Sequence, residues 1–232
     1  MTAFAIKTMT ARAGKAGAAG LSCLGLLGVL GVLGLAGCGA LPDKPGRTVL
    51  YDFGPGPLTG APVAAPSAVL PPITLADLDT SASRLEGTQL HYRLGYADAN
   101  ELRPYAGSRW TLPPTQLLRQ RLRDALAQRR TVLGTLEAAN LSRTEGRTTD
   151  LMRISLEEFS HYFESPAGSV GLVRVRATLV RGGPGGERVL GQRLVVVTRP
   201  APSADAAGGV KALTAATDAA VAELVQWADG LK

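Results

Sequence analysis

Histidine is nearly missing from this 232-residue chain, with His91 and His161 alone, and cysteine is as scarce, at Cys23 and Cys38. Two scattered histidines and at most one retained cysteine do not make a zinc-type ligand set, so no metal is expected. No serine sits in a nucleophile elbow, because Gly168-Ser169-Val170-Gly171 lacks the required spacing. The glycine-rich run at 182–186 has no Lys-Ser/Thr pair after it, which excludes a phosphate-binding loop of the P-loop kind. Asp77 and Asp79, or Glu157 and Glu158, are neighbouring carboxylates without a visible partner. A hydrolase would have to rest on His91 or His161, and both are read on outward or ambiguous strand positions. The chain is therefore expected to be no enzyme, and to need no cofactor.

Acidic residues are missing altogether from the first forty positions. Residues 1–17 carry Lys7, Arg12 and Lys15, and Ala18 to Ala36 carry no charge at all. Nineteen uncharged residues approach the length needed to cross the roughly 30 Å of hydrocarbon in a bilayer. Against a membrane-spanning helix stand glycines at 20, 25, 28, 31, 34 and 37, and the ending Leu35-Ala36-Gly37-Cys38. That ending resembles the bacterial lipobox, with small residues before the scissile bond and a cysteine after it. The resemblance implies a signal peptide over 1–37 and a diacylglyceryl thioether on Cys38. After cleavage its freed amine would take a third acyl chain, a palmitate-type N-acylation. Burying acyl chains contributes roughly 0.8 kcal/mol per CH₂, so several chains anchor far more firmly than one. Gly39 is not the aspartate that retains lipoproteins at an inner membrane, and by resemblance to sorting signals it points to the outer membrane.

Losing residues 1–37 lowers the 25 basic side chains to 22 and leaves the 19 acidic ones, so the formal charge falls from +6 to +3. The basic balance thus belongs partly to the signal, and nucleic acid is not an expected partner. Cys38 would then be the sole cysteine, so no internal disulfide forms despite an oxidising compartment. The fold must rest on its own core, for which about 180 residues suffice.

Residues 38–47 read as a lipidated tether and 48–232 as one domain. Val49, Tyr51 and Phe53 alternate in a first strand, stopped by Gly54-Pro55-Gly56-Pro57. A Pro/Ala-rich connection runs to Pro72. Ile73–Asp79 is a short strand. Gln89–Tyr96 is a better one, with Leu90, Tyr92 and Leu94 on one face and Gln89, His91 and Arg93 on the other. Ala97–Ser108 is read as a turn before a short extended piece at Arg109-Trp110. Pro113-Pro114 opens a helix to about Arg130, with Leu118, Leu122, Ala125 and Leu126 on its apolar face. In 151–163 the alternation of Met152, Ile154 and Leu156 changes phase at Glu157-Glu158 before Phe159, His161 and Phe163, which predicts a bulge. Val173, Val175, Ala177 and Leu179 point inward in the next strand, and a hairpin over 182–186 returns through Val189–Thr198. A final helix spans about Ala206–Leu231, capped by Asp205 or Ser203. The sum is an α+β fold, a mostly antiparallel sheet with two principal helices packed on it.

In this order the pieces resemble the ABC-type transport auxiliary lipoproteins, which include the lipoprotein partner of paraquat-inducible, mammalian-cell-entry (MCE) type lipid-transport systems. The matching residues are Tyr51-Asp52-Phe53-Gly54-Pro55, Leu90-His91-Tyr92-Arg93, Tyr105, Arg109-Trp110-Thr111-Leu112-Pro113-Pro114 with Leu117-Leu118, Ile154-Ser155-Leu156-Glu157-Glu158-Phe159, and the Ala-rich closing helix through Trp227. The resemblance implies a periplasmic lipoprotein on the outer membrane that assists an inner-membrane ABC transporter and an MCE-domain protein in moving phospholipid or another hydrophobic substrate. It also implies ring-like self-association into a homo-oligomer. A different reading of the same anchor and domain is an outer-membrane lipoprotein regulating a cell-wall synthase or glycolipid assembly.

Candidate partner-binding residues are Tyr92, Tyr105, Trp110, Arg119 and Arg123. Trp110 either meets a partner or lipid, or packs the helix start on the sheet, the favoured alternative since tryptophan buries a large apolar area. Trp227 is expected in the core. Tyr92 and Tyr105 stand between core edge and interface. The arginines at 119, 121, 123, 129 and 130 either meet anionic head groups or an acidic partner, or form a solvated face with Asp124 as their only acidic neighbour, again the favoured alternative.

Overall fold

Two long strands with clean alternation form the middle of the molecule. In a computed structural model that describes residues 47–56, 70–77, 85–183 and 186–231, β6 (Asp150–Phe163) pairs antiparallel with β7 (Ser169–Gly183) along its whole length. β8 (Gly186–Pro200) pairs antiparallel with β7 in turn. The signal region, Cys38 and the tether to 46 lie outside the described residues, as do 57–69 and 78–84.

The other edge of β6 is shared. Its start pairs in parallel with β2 (Ile73–Leu75), which carries β5 (Val132–Leu133) beyond it. Its end, His161–Phe163, pairs in parallel with β3 (Gln89–Leu94), followed by β4 (Ala99–Trp110) antiparallel and then β1 (Val49–Tyr51) parallel to β4. The eight-stranded sheet therefore forks at β6 and ends at β1, β5 and β8. Its long ladders are antiparallel, so the fold is α+β as the pattern predicts.

The bulge falls where the phase changes. Leu156 pairs with Val175 and Glu158 with Arg174, which leaves Glu157 as the extra residue. That one insertion keeps Met152, Ile154, Leu156, Phe159 and Phe163 all buried. On β7, Val173, Val175, Ala177 and Leu179 are buried as expected.

Helix α1 (Pro114–Ala127) buries Leu117, Leu118, Leu122 and Leu126, and helix α3 (Ala206–Gly230) buries Val210, Leu213, Thr217, Ala220, Val221 and Leu224. The cap of α3 is Asp205, whose Oδ1 accepts from Gly208 N at 2.7 Å and from Ser203 Oγ at 2.8 Å. Trp227 is half-buried against the core. Two glycines let α3 lie hard on the sheet. A Cβ on Gly171 of β7 would stand 2.4 Å from the backbone carbon of Ala212, and one on Gly209 would stand 2.5 Å from His161 Nδ1. Both distances are below any real contact, so only glycine permits this approach.

Several local expectations are corrected. Ala99–Trp110 is a twelve-residue strand, not a turn, entered from a single helical turn over Gly95–Asp98. His91 and Arg93, expected to face water, are 6% and 9% exposed, and Arg93 is held by Glu158 and by the carbonyls of Ala99 and Asn100. His161 is fully buried, not outward. Val49 faces solvent, since β1 is an edge strand with only Phe53 beyond it in the core. A third helix, α2 (Thr135–Glu145), buries no residue and is held by its ends. Gly134 N donates to Glu137 Oε2 at 2.7 Å, and Gly146 closes the helix at φ +65°.

Candidate functional site

The five candidate surface residues do not form one site. Trp110 ends β4 just before the prolines that start α1, and it is 1% exposed. Its ring meets Phe53 and Phe159 edge-on, each at 5.6 Å between centroids. It packs the helix start on the sheet and presents no surface to a partner.

Tyr92 and Tyr105 do meet, with ring centroids 4.7 Å apart, because β3 and β4 are neighbours. Both stay half-buried. Tyr105 Oη lies 2.8 Å from His161 Nδ1, and His161 Nε2 lies 2.7 Å from Ser169 Oγ, which joins β4, β6 and β7 in one buried chain. Burial raises the Tyr105 hydroxyl well above its ordinary range, and burial lowers the His161 imidazole to about 4. Asp205, at the cap of α3, opposes that lowering. Tyr105 thus keeps its proton and His161 is neutral at pH 7, and the two hydrogen bonds tie the imidazole to β4 and β7. An imidazole titrating near 4 is a weak base at neutral pH. The histidine fastens strands together.

Spatial partners for the α1 arginines come from far along the chain. Arg121 Nε lies 3.1 Å from Asp218 of α3, and Arg121 also donates to the Phe53 carbonyl at 2.5 Å. Arg129 and Arg130 both clasp Asp229. Arg119 Nη2 lies 3.0 Å from Asp77 Oδ1, whose side chain is 84% exposed. Arg123 is exposed, and among the described residues no carboxylate reaches it within ion-pair distance. Asp124, the expected neighbour, pairs with none of them among the described residues.

Two clefts flank α1. One, of about 450 Å³, lies against α3 and the Phe53–Gly56 segment, with Leu117, Ala125 and Val221 in its floor and Asp52, Asp124 and Asp218 in its lining. The other, of about 430 Å³, is lined by Asp77, Thr115, Gln116, Arg119, Gln120 and Arg123. Sequence reasoning missed the Arg93–Glu158 pair, 2.9 Å apart with side chains 11% and 14% exposed. Arg93 also donates to the carbonyls of Ala99 and Asn100 at 3.2 Å. The charge of Glu158 beside the bulge was the only available signal. Among the described residues no helix is long and apolar enough to cross a membrane.

The sequence model of the family described as ABC-type transport auxiliary lipoprotein component matches residues 52–225. No curated protein matches the chain. The crystal structure of protein XCC0632 from Xanthomonas campestris is similar at TM-score 0.59 and 21% identity, over 71% of this chain and 86% of that one. An uncharacterized protein of 13% identity is similar at TM-score 0.54, over 78% of this chain and 99% of its own. At such identities these structures speak for the fold, and the family match spans both the sheet and the helices packed on it. The chain belongs to the ABC-type transport auxiliary lipoprotein family.

Proposed function

We propose that this chain is a non-enzymatic accessory lipoprotein of an MCE/ABC-type intermembrane lipid-transport system, acting on phospholipid. Cys38 anchors it to the outer membrane, and the folded domain docks transporter components in the periplasm. The observation that carries this reading is the family match over 52–225, which takes in nearly the whole described fold. The lipobox resemblance at Leu35–Cys38 and the residue Gly39 support the anchor and its membrane. The buried Tyr105–His161–Ser169 chain supports docking over catalysis, because it places the imidazole out of reach of a substrate.

Self-association belongs to the same reading. Among the described residues seven large hydrophobics stand out as exposed, and five of them lie on two end strands: Val49 and Leu50 on β1, and Val189, Leu194 and Val196 on β8. Unpaired apolar edges invite another chain. Since β1 and β8 end different arms of the forked sheet, the edge of one copy can meet the other edge of the next. Such a head-to-tail contact closes into a ring when its rotation permits.

The test is crosslinking in the native host followed by affinity capture of the full-length chain. An MCE-domain protein and the ABC permease are expected among the captured proteins. Recovery of a cell-wall synthase in their place, with no MCE protein, overturns the proposal.

A further inference from the structure

Side chains on a helix lean toward its N-terminus, so residues at i, i+3, i+4 and i+7 share one strip of surface. On α1 that strip is Gln116, Arg119, Gln120 and Arg123. With Thr115 and Asp77 it lines the cleft of about 430 Å³, and three of its members, Gln116, Gln120 and Arg123, are exposed. All four side chains of the strip carry N–H donors, and both charged ones are guanidinium groups.

The other arginines of α1 and its end are engaged elsewhere, Arg121 with Asp218 and Arg129 and Arg130 with Asp229. Arg119 and Arg123 are therefore a separate pair. Among the described residues Asp77 is the one acid in their cleft, and with its side chain 84% exposed its contact with Arg119 is a solvated pair of the weakest kind. The Nε of Arg119 is buried without a hydrogen-bond acceptor among the described residues. A cleft with two guanidinium groups, two amides and one replaceable carboxylate has the donors for an anion with several oxygens. Guanidinium forks match phosphate geometry bidentately.

We infer that Arg119 and Arg123, with Gln116, Gln120 and Thr115, form a binding site for a phosphate group, carried by a phospholipid head group or by free phosphate. Asp77 holds Arg119 in place while the site is empty and gives way to the ligand. The inference deepens the lipid-transport reading and rests on it for the choice of lipid probe.

The test uses the full-length chain in nonionic detergent micelles, titrated by calorimetry with dihexanoyl phosphatidylglycerol, dihexanoyl phosphatidylcholine and inorganic phosphate. Saturable binding of phosphatidylglycerol is expected, weakened about tenfold or more in the Arg119→Gln/Arg123→Gln double variant. Asp77→Asn, which removes the competitor, is expected to bind severalfold tighter. Arg153→Gln, a surface arginine paired with Glu187, is the control and is expected to bind as the parent does. Lipid binding without inorganic phosphate binding assigns the site to a head group, and phosphate binding without lipid assigns it to the free ion. Absence of both, an unchanged double variant, or weaker binding by Asp77→Asn overturns the site. Circular dichroism of each variant shows that it is folded. Capture of the MCE protein is measured on the parent chain, so failed titrations of the parent with intact capture overturn the site and leave the proposed function standing.

Discussion

Glu158 and Arg93 are buried together, and each is what makes the other tolerable away from water. Removing one partner of such a pair leaves an uncompensated charge, which costs about 3 kcal/mol or more. Glu158→Ala is therefore expected to lower unfolding free energy by about that much in urea titrations, whereas the exposed Arg153→Ala loses under about 1 kcal/mol. His161 gives a second outcome at this scale. Its pKa is lowered from 6.5 to about 4 in the folded chain, so below about pH 6.5 the unfolded chain takes up the proton first. Stability is thus full above that pH and is lost as pH falls toward 4. Between about pH 7 and 5 the loss is about 2 kcal/mol. A flatter stability profile for His161→Gln over that interval is the expected result, and an identical profile removes the assignment. His91, Arg93 and His161 are also the residues least legible from sequence. A period-two pattern shows which residues share a face, and it is silent on what meets the second face, which for Arg93 is Glu158 of β6 and the carbonyls of Ala99 and Asn100.

Elements were readable wherever burial imposed a period. The β6 and β7 alternation, the bulge at Glu157 and the apolar stripes of α1 and α3 all appear in the sequence, because each places a continuous row of side chains into one core. α2 escaped because it buries nothing and so carries no stripe, only a Gly134/Glu137 start and a Gly146 stop. β4 escaped because Pro104 and Gly107 read as turn residues. Pro104 sits opposite His91, beyond the reach of β1, whose pairing is confined to Ser108–Trp110. Two variants test the packing of these elements. Gly171→Ala drives a Cβ into the backbone of α3, which cannot yield, and is expected to cost about 2 kcal/mol or more in thermal or urea unfolding. Gly107→Ala meets nothing and is expected to be close to neutral. Deleting Glu157 closes the bulge and leaves Met152, Ile154, Leu156, Phe159 and Phe163 in one unbroken alternation, so that variant is expected to fold, whereas deleting Glu157 and Glu158 together turns Phe159 and Phe163 to the opposite face and is expected not to, as judged by near-ultraviolet circular dichroism.

At the scale of the whole molecule, the forked sheet presents two apolar edges at its far ends, and the chain preceding it carries the features of a lipid anchor. Leu50→Lys and Leu194→Lys alter opposite edges without touching the core. Each alone is expected to shift full-length protein in detergent to smaller species by analytical ultracentrifugation, since a head-to-tail contact needs both surfaces. Membership of the ABC-type transport auxiliary lipoprotein family gives the proposed assembly its context. The most direct measurement follows pulse-labelled phospholipid between inner and outer membranes in a host strain whose other MCE systems are deleted. Cells with the parent chain are expected to move label faster than cells lacking it, and Cys38→Ala is expected to behave like the loss. Equal transfer in all three strains contradicts a tethered role in lipid transport.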